Sequence, residues 1–211
     1  MQYEGIASAG RLFFVSANDE TRDGAGPLQR LSSVLADFGP LLVEPEGSRQ
    51  ASVALMLRER KLGLEVLVIR RAENELDRWS GQMALPGGGK EPGDGGVYDT
   101  ARRETLEEVG IDLDEGRFLG RLDDMRSRSI RIVISVVVVA IDAEPGLLDT
   151  REVVEAFWVP VDRLADEEVE IPGFPGTWPA FTYKDHYVIW GLTHRILTQL
   201  RRLVPYRAPA G

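Results

Sequence analysis

Leu85-Pro86-Gly87-Gly88-Gly89-Lys90 opens a stretch that passes through Glu91-Pro92-Gly93-Asp94. It ends on Arg103-Glu104-Thr105-Leu106-Glu107-Glu108-Val109-Gly110-Ile111. The pattern predicts a helix over Val97–Val109, stopped by Gly110, the residue type that tolerates a left-handed cap. On a helix, offsets of three and four share a face, so Glu104, Glu107 and Glu108 project together. Like charges at that spacing repel by a few tenths of a kcal/mol per pair. Arg103 compensates one of them, and a divalent cation with a taste for oxygen, Mg²⁺ or Mn²⁺, would compensate more. The plainer alternative is an acidic face turned to water. The glycines before the helix weigh against it, because they let a ligand approach the backbone and leave carbonyls free to coordinate. Lys90 beside them is placed to meet a phosphate.

Working outward, Ser52–Arg58 and Leu64–Arg70 read as two strands of a hairpin, joined around Lys61, Leu62 and Gly63. Phe118–Leu122, the Val-rich run of Arg131–Asp142, and Glu155–Val161 are further strand candidates. Residues 167–179 read as a Gly/Pro/acidic loop, and His186–Leu203 as an amphipathic terminal helix carrying His186 and His194. Trp79 and Trp178 fall in loops, where a tryptophan packs or stacks on a base. Leu28–Phe38 could form a short helix ended by Gly39-Pro40, but the first fifty residues otherwise look like an N-terminal arm or peripheral segment. The main domain is expected over residues 51–205. Strands broken by one internal helix and closed by another indicate a mixed α/β domain, not a regularly alternating doubly wound fold.

The whole chain sets bounds on function. It has 211 residues, a formal net charge of −9 and a sequence pI near 4.9, with ordinary shares of hydrophobic (43%) and charged (28%) residues. That acidic balance argues against non-specific binding to a nucleic-acid backbone. With no cysteine, disulfides, thiolate metal sites and a Cys nucleophile are excluded, which fits a cytoplasmic location. The longest apolar run, Ile132–Ile141, is about half of the roughly 20 residues that a spanning helix needs. No membrane partner is expected, and no signal-peptide core is seen near the N-terminus.

Leu85–Ile111 resembles the signature of the Nudix hydrolases, G-x5-E-x7-R-E-U-x-E-E-x-G-U, where U is bulky and apolar. Gly89, Arg103, Glu104, Glu107, Glu108, Gly110 and Ile111 fall on it in register. Two positions depart: Gly95 stands where the first Glu belongs, with Asp94 adjacent, and Thr105 stands at an apolar position. Asp94 is expected as the helix N-cap, with a second role in place of the missing Glu. Upstream, Val66–Gly89 and the acidic-Pro-x-Asp ending at Asp94 are similar to the coenzyme A pyrophosphatase branch. So is Ile189-Trp190-Gly191-Leu192-Thr193 near the C-terminus.

The resemblance implies an α/β/α sandwich around a mixed sheet, and a metal-dependent hydrolase that cleaves the diphosphate of a small nucleoside diphosphate derivative. Glu107 and Glu108 are then metal ligands, Glu104 a ligand or the general base, and Arg103 the group that orients them. A carbonyl at Gly88 or a neighbouring glycine completes the metal's shell. Glu152 and Glu155 are candidate bases outside the motif. Arg70, Arg71, Arg78 and Lys90 are candidate phosphate ligands. CoA or a CoA derivative is the leading substrate; ADP-ribose, another nucleotide sugar or a dinucleoside polyphosphate is the alternative, and a non-catalytic ligand sensor is a third reading. No nucleic-acid partner is expected, and the N-terminal arm offers a surface for a homodimer.

Overall fold

The computed structural model describes residues 25–61, 63–73, 80–127 and 130–204. The elements in chain order are α1 (Pro27–Asp37), β1 (Arg49–Arg60), β2 (Gly63–Arg71), β3 (Met83–Ala84), β4 (Gly87–Gly89) and α2 (Val97–Val109). They continue through β5 (Arg117–Arg121), β6 (Met125–Arg126), β7 (Ile132–Ala140), β8 (Val153–Pro160), β9 (Ala165–Ile171), β10 (Phe174–Tyr183), β11 (Tyr187–Trp190) and α3 (Gly191–Leu203).

The main sheet has eight strands along the path β3-β2-β1-β7-β5, with β4 on β1, β6 on β7 and β8 on β2. The β1–β7 pair is parallel and its neighbours are antiparallel, so the sheet is mixed. β1 and β7 are buried on both faces, which is why they read as near-continuous apolar runs without alternation. On one face Leu55, Val66 and Val136 pack with Leu31 and Leu35 of α1 and Ile196, Leu197 and Leu200 of α3. On the other, Ala54, Met56, Leu67, Ile69, Val137 and Val139 pack with Ala101 and Val109 of α2. The result is the expected α/β/α sandwich. No helix among the described residues is long and apolar enough to cross a membrane.

Three expectations change. α1 is part of the core: Leu31 and Leu35, one turn apart, are buried against the sheet, and Pro27 sits at the helix start where its missing N–H costs nothing. Among the described residues the packed unit therefore includes α1, ahead of the boundary expected at residue 51. Residues 167–179 are not a loop. They form most of the β9–β10 hairpin of a separate three-stranded sheet, whose acidic residues are exposed on strands that bury little. The terminal helix starts at Gly191, not His186. Tyr187–Trp190 is a strand paired to β10 across a turn in which Lys184 and Asp185 both take left-handed φ angles of 51° and 61°. Such a turn suits a tight hairpin, but its usual Asn-Gly signature is missing from the sequence.

Candidate active site

α2 carries the acidic face. It starts after Gly96, which offers no side-chain cap, and ends at Gly110 with φ 67°. Thr105 is fully buried, and its hydroxyl has no hydrogen-bond partner among the described residues. β4 lies alongside β1, with Val53 opposite Gly87 and Ser52 opposite Gly88. At Gly87, φ is 147°, and a Cβ there would collide with the Ser52 carbonyl and the Val53 backbone. Only glycine fits that approach.

This close strand brings the backbone to the carboxylates. Glu108 is 2% exposed, and its Oε2 accepts the Gly87 N–H at 2.9 Å. A Cβ on Gly88 would overlap the Glu104 carboxylate, so glycine makes the cradle that Glu104 occupies. Burial pushes Glu108 up to about 8, against the Gly87 N–H, which favours the charged form; the neighbouring charges of Glu104 and Glu152 add to the rise. Burial also raises Glu104, with Arg103 opposing and Glu107 and Glu152 assisting. Burial thus opposes the charged form of both carboxylates, and of the two only Glu104 has a guanidinium against it.

Arg103 ties the cluster together. Its guanidinium lies 2.9 Å from Glu104 Oε1 and 3.2 Å from Glu107 Oε2, and donates to the Gly89 carbonyl at 2.8 Å. It also donates twice to Asp94 at 3.2 Å. Asp94 is therefore not the helix N-cap; Gly96 holds that position. The Asp94 carboxylate instead accepts from Arg103, the Thr100 hydroxyl (2.9 Å) and the Glu91 N–H (2.8 Å). These contacts, Arg103 first, hold it far below the usual carboxylate range. Placed one residue before Gly95, Asp94 fixes the guanidinium that fixes Glu104 and Glu107.

The remaining candidates divide. Glu152 is exposed in the turn before β8, and its charge adds to the rise of both Glu104 and Glu108. Arg71 acts on Glu108 with the opposite sign. Glu155 is differently engaged: Arg70 pairs with one oxygen at 2.6 Å, and the Tyr187 hydroxyl donates to the other at 2.7 Å. Those contacts, Tyr187 first, lower its pKa. Arg70 is accordingly spent on Glu155, its register partner across β2 and β8. Lys90 is exposed and lines a separate cavity. Arg78 and Trp79 lie outside the described residues. Trp178 is not in a loop but on β10, packed against Phe174 and Trp190. His186 sits in the β10–β11 turn, and His194 on α3 stacks against Phe181.

Among the described residues, no three carboxylate or imidazole groups converge closely enough to hold an ion as they stand. The reason is visible: Arg103 draws Glu104 and Glu107 toward itself, while Glu108 turns to the Gly87 N–H. The donor set nevertheless fits a hard cation, being oxygen only and including Glu108, a buried carboxylate whose neighbour is a backbone N–H and not a cation.

The profile of the NUDIX domain family matches residues 48–176. The chain belongs to the Nudix family. Among curated Nudix relatives, Nudix hydrolase 22 of Arabidopsis thaliana, a chloroplastic protein, is 30% identical over 173 residues, covering 77% of this chain and 57% of that protein. The uncharacterized Nudix hydrolase NudL of Photorhabdus laumondii is 31% identical over 147 residues, covering 65% of this chain and 76% of that protein. A Schizosaccharomyces pombe protein is 42% identical over 107 residues, but the match covers only 47% of this chain and 32% of that protein. The chain thus spans about a third of the length of the Schizosaccharomyces pombe protein and somewhat over half of the Arabidopsis one. A MutT/nudix family structure from Enterococcus faecalis shares the fold at 18% identity and a TM-score of 0.51, covering 85% of this chain and 75% of that one.

Proposed function

We propose that this Nudix chain is a divalent-metal-dependent pyrophosphohydrolase acting on the diphosphate of CoA or a CoA derivative. One observation carries the chemistry: Glu108 is buried against the Gly87 N–H, beside a Glu104 seated in the Gly88 cradle. Two desolvated carboxylates are a poor structural choice and a good cation site. CoA as substrate rests on the resemblance of Val66–Gly89 and the Asp94 turn to that branch of the family.

Glu104, Glu107, Glu108 and the Gly88 carbonyl are the groups that would hold Mg²⁺ or Mn²⁺. The bound ion would neutralise the diphosphate and acidify a water. The chain's own part is to place its charges. Arg103, held by Asp94 and the Gly89 carbonyl, keeps Glu104 and Glu107 together. Glu152, exposed and close enough for its charge to act on Glu104 and Glu108, is the better general base outside the motif. Glu155 has both oxygens occupied and is assigned to holding β2, β8 and β11 together.

The test is a hydrolysis panel of CoA, acetyl-CoA, ADP-ribose, NADH and diadenosine polyphosphates with Mg²⁺ and with Mn²⁺, run beside Glu108→Gln. Preferred cleavage of CoA, lost in the variant, supports the reading. Preference for another compound keeps the chemistry and removes CoA. Binding without cleavage of any compound points to a sensor.

A further inference from the structure

Glu152 lies on the loop that joins β7 to β8, residues 141–152, and that loop is fastened along its length. At its start the Trp158 indole N–H donates to the Ala143 carbonyl at 3.0 Å, and in its middle Leu148 packs against the α2 side of the core. Two further bonds run to the end of α2. The last carbonyls of a helix have no partner within it and need one from outside. Here the Gly146 N–H donates to the Val109 carbonyl at 2.9 Å, and the Asp149 N–H donates to the Glu108 carbonyl at 3.2 Å. The loop thus grips the backbone of Glu108, the most deeply buried carboxylate of the cluster.

Asp149 bonds onward to Glu152. Its carbonyl accepts the Glu152 N–H at 2.9 Å and the Val153 N–H at 2.8 Å. Its carboxylate accepts the Arg151 N–H at 3.0 Å, so the turn over residues 149–152 is closed by the side chain as well as by the backbone. On the far side, the Glu152 carbonyl accepts the Ala72 N–H at 2.8 Å, which ties the turn to the end of β2. One residue therefore links the backbones of two carboxylate-bearing positions, Glu108 through its N–H and Glu152 through its carbonyl. The ion pair of Asp149 with Arg151 is a separate matter. The Arg151 side chain is 86% exposed, and a pair of that kind contributes little. The Asp149 side chain matters as the acceptor of a backbone N–H.

We propose that Asp149 is a positioning residue for the hydrolysis: it holds Glu152 at a set place relative to the α2 carboxylates, by bonding the Glu108 backbone and by closing the turn that carries Glu152. This rests on the reading of Glu152 as the base outside the motif. Asp149 acts through Glu152 and not on the reacting atoms. A displacement of about 1 Å in a catalytic group is enough to cost about 10²-fold in rate, so loosening the turn lowers kcat. Substrate binding does not depend on that turn, and KM is left near its wild-type value.

Steady-state kinetics of Asp149→Ala, Asp149→Asn, Glu152→Gln and the Asp149→Ala/Glu152→Gln double variant test the assignment. The substrate is CoA with Mg²⁺, or the compound of the hydrolysis panel that is cleaved fastest. In Asp149→Ala, kcat is expected to fall about tenfold to a hundredfold, with KM within about twofold of wild type. Asp149→Asn keeps an oxygen for the Arg151 N–H and should recover most of the rate. In the Glu152→Gln background, Asp149→Ala should remove nothing more, because a base that is absent cannot also be misplaced. A merely structural role would instead lower kcat by the same factor in both backgrounds. That result overturns the proposal. So does a wild-type kcat in Asp149→Ala, and so does an Asn variant as slow as the Ala one, which would assign the effect to charge and not to the turn. The underlying reading fails in a different way. Wild-type kcat in Glu152→Gln removes the base and its positioning residue together, and cleavage of no compound in the panel removes the hydrolase and both roles with it.

Discussion

Glu108 carries a carboxyl at only 2% exposure. A carboxyl raised from its ordinary value near 4.5 to about 8 binds its proton more tightly in the folded than in the unfolded chain. Its contribution to stability is therefore present at low pH and is lost as pH rises from about 4.5 through about 8. Metal-free wild-type protein should lose thermal stability across that window, and Glu108→Gln should flatten the loss; melting curves in chelator at pH 5, 7 and 9 check this. A cation needs the carboxylate form, so Mn²⁺ should bind more tightly at pH 8.5 than at pH 6 and release protons on binding at pH 7. Proton release measured in two buffers of different ionisation enthalpy would report it. The two outer glutamates separate by the same reasoning. Glu152→Gln should lower kcat by about 10²–10⁴ if it moves the proton. Glu155→Gln should act mainly on stability, by loosening Arg70 and Tyr187. Equal loss of kcat in both would refute that division.

At the scale of elements, the site depends on β4 approaching β1 and on α2 facing β4. Gly87→Ala places a Cβ against the Ser52 carbonyl at a φ that an L-residue avoids. It should cost about 1–3 kcal/mol and also withdraw the N–H that Glu108 accepts. Chemical denaturation and turnover should therefore fall together. Asp94→Asn tests the turn before α2. It keeps the shape and removes the charge that holds Arg103, so kcat should fall while the far-UV circular dichroism of the fold persists. The sequence announced α2 to the residue, because its periodicity and Gly110 are local signals. It mistook β9 and β10 for a loop, because strands with exposed acidic side chains and prolines carry little apolar alternation. It merged β11 into α3, because Tyr187–Trp190 also falls on the helix's apolar stripe. Pairing to β10 across the Lys184–Asp185 turn decided otherwise.

For the whole molecule, the sandwich needs both of its outer layers. α1 supplies Leu31 and Leu35 to the same core as α3. Leu35→Ala should destabilise the protein by about 2–5 kcal/mol, the cost of a buried leucine cavity. A loss under about 0.5 kcal/mol in urea denaturation would return residues 27–38 to a peripheral role.

The sequence by itself determined the acidic helix, its glycine approach, the mixed α/β class and the family resemblance. Each of these is written in spacing along the chain: 3.6-residue periodicity, cap residues and a long motif. Tertiary structure alone decided what those residues meet. It turned Asp94 from cap to anchor for Arg103, occupied Glu155 with Arg70 and Tyr187, and moved Lys90 to a cavity with Arg121 and Ser135. Those partners lie up to 85 residues apart in the chain. Burial, strand register and the charge left unpaired are properties of the packed sheet, which no local pattern encodes.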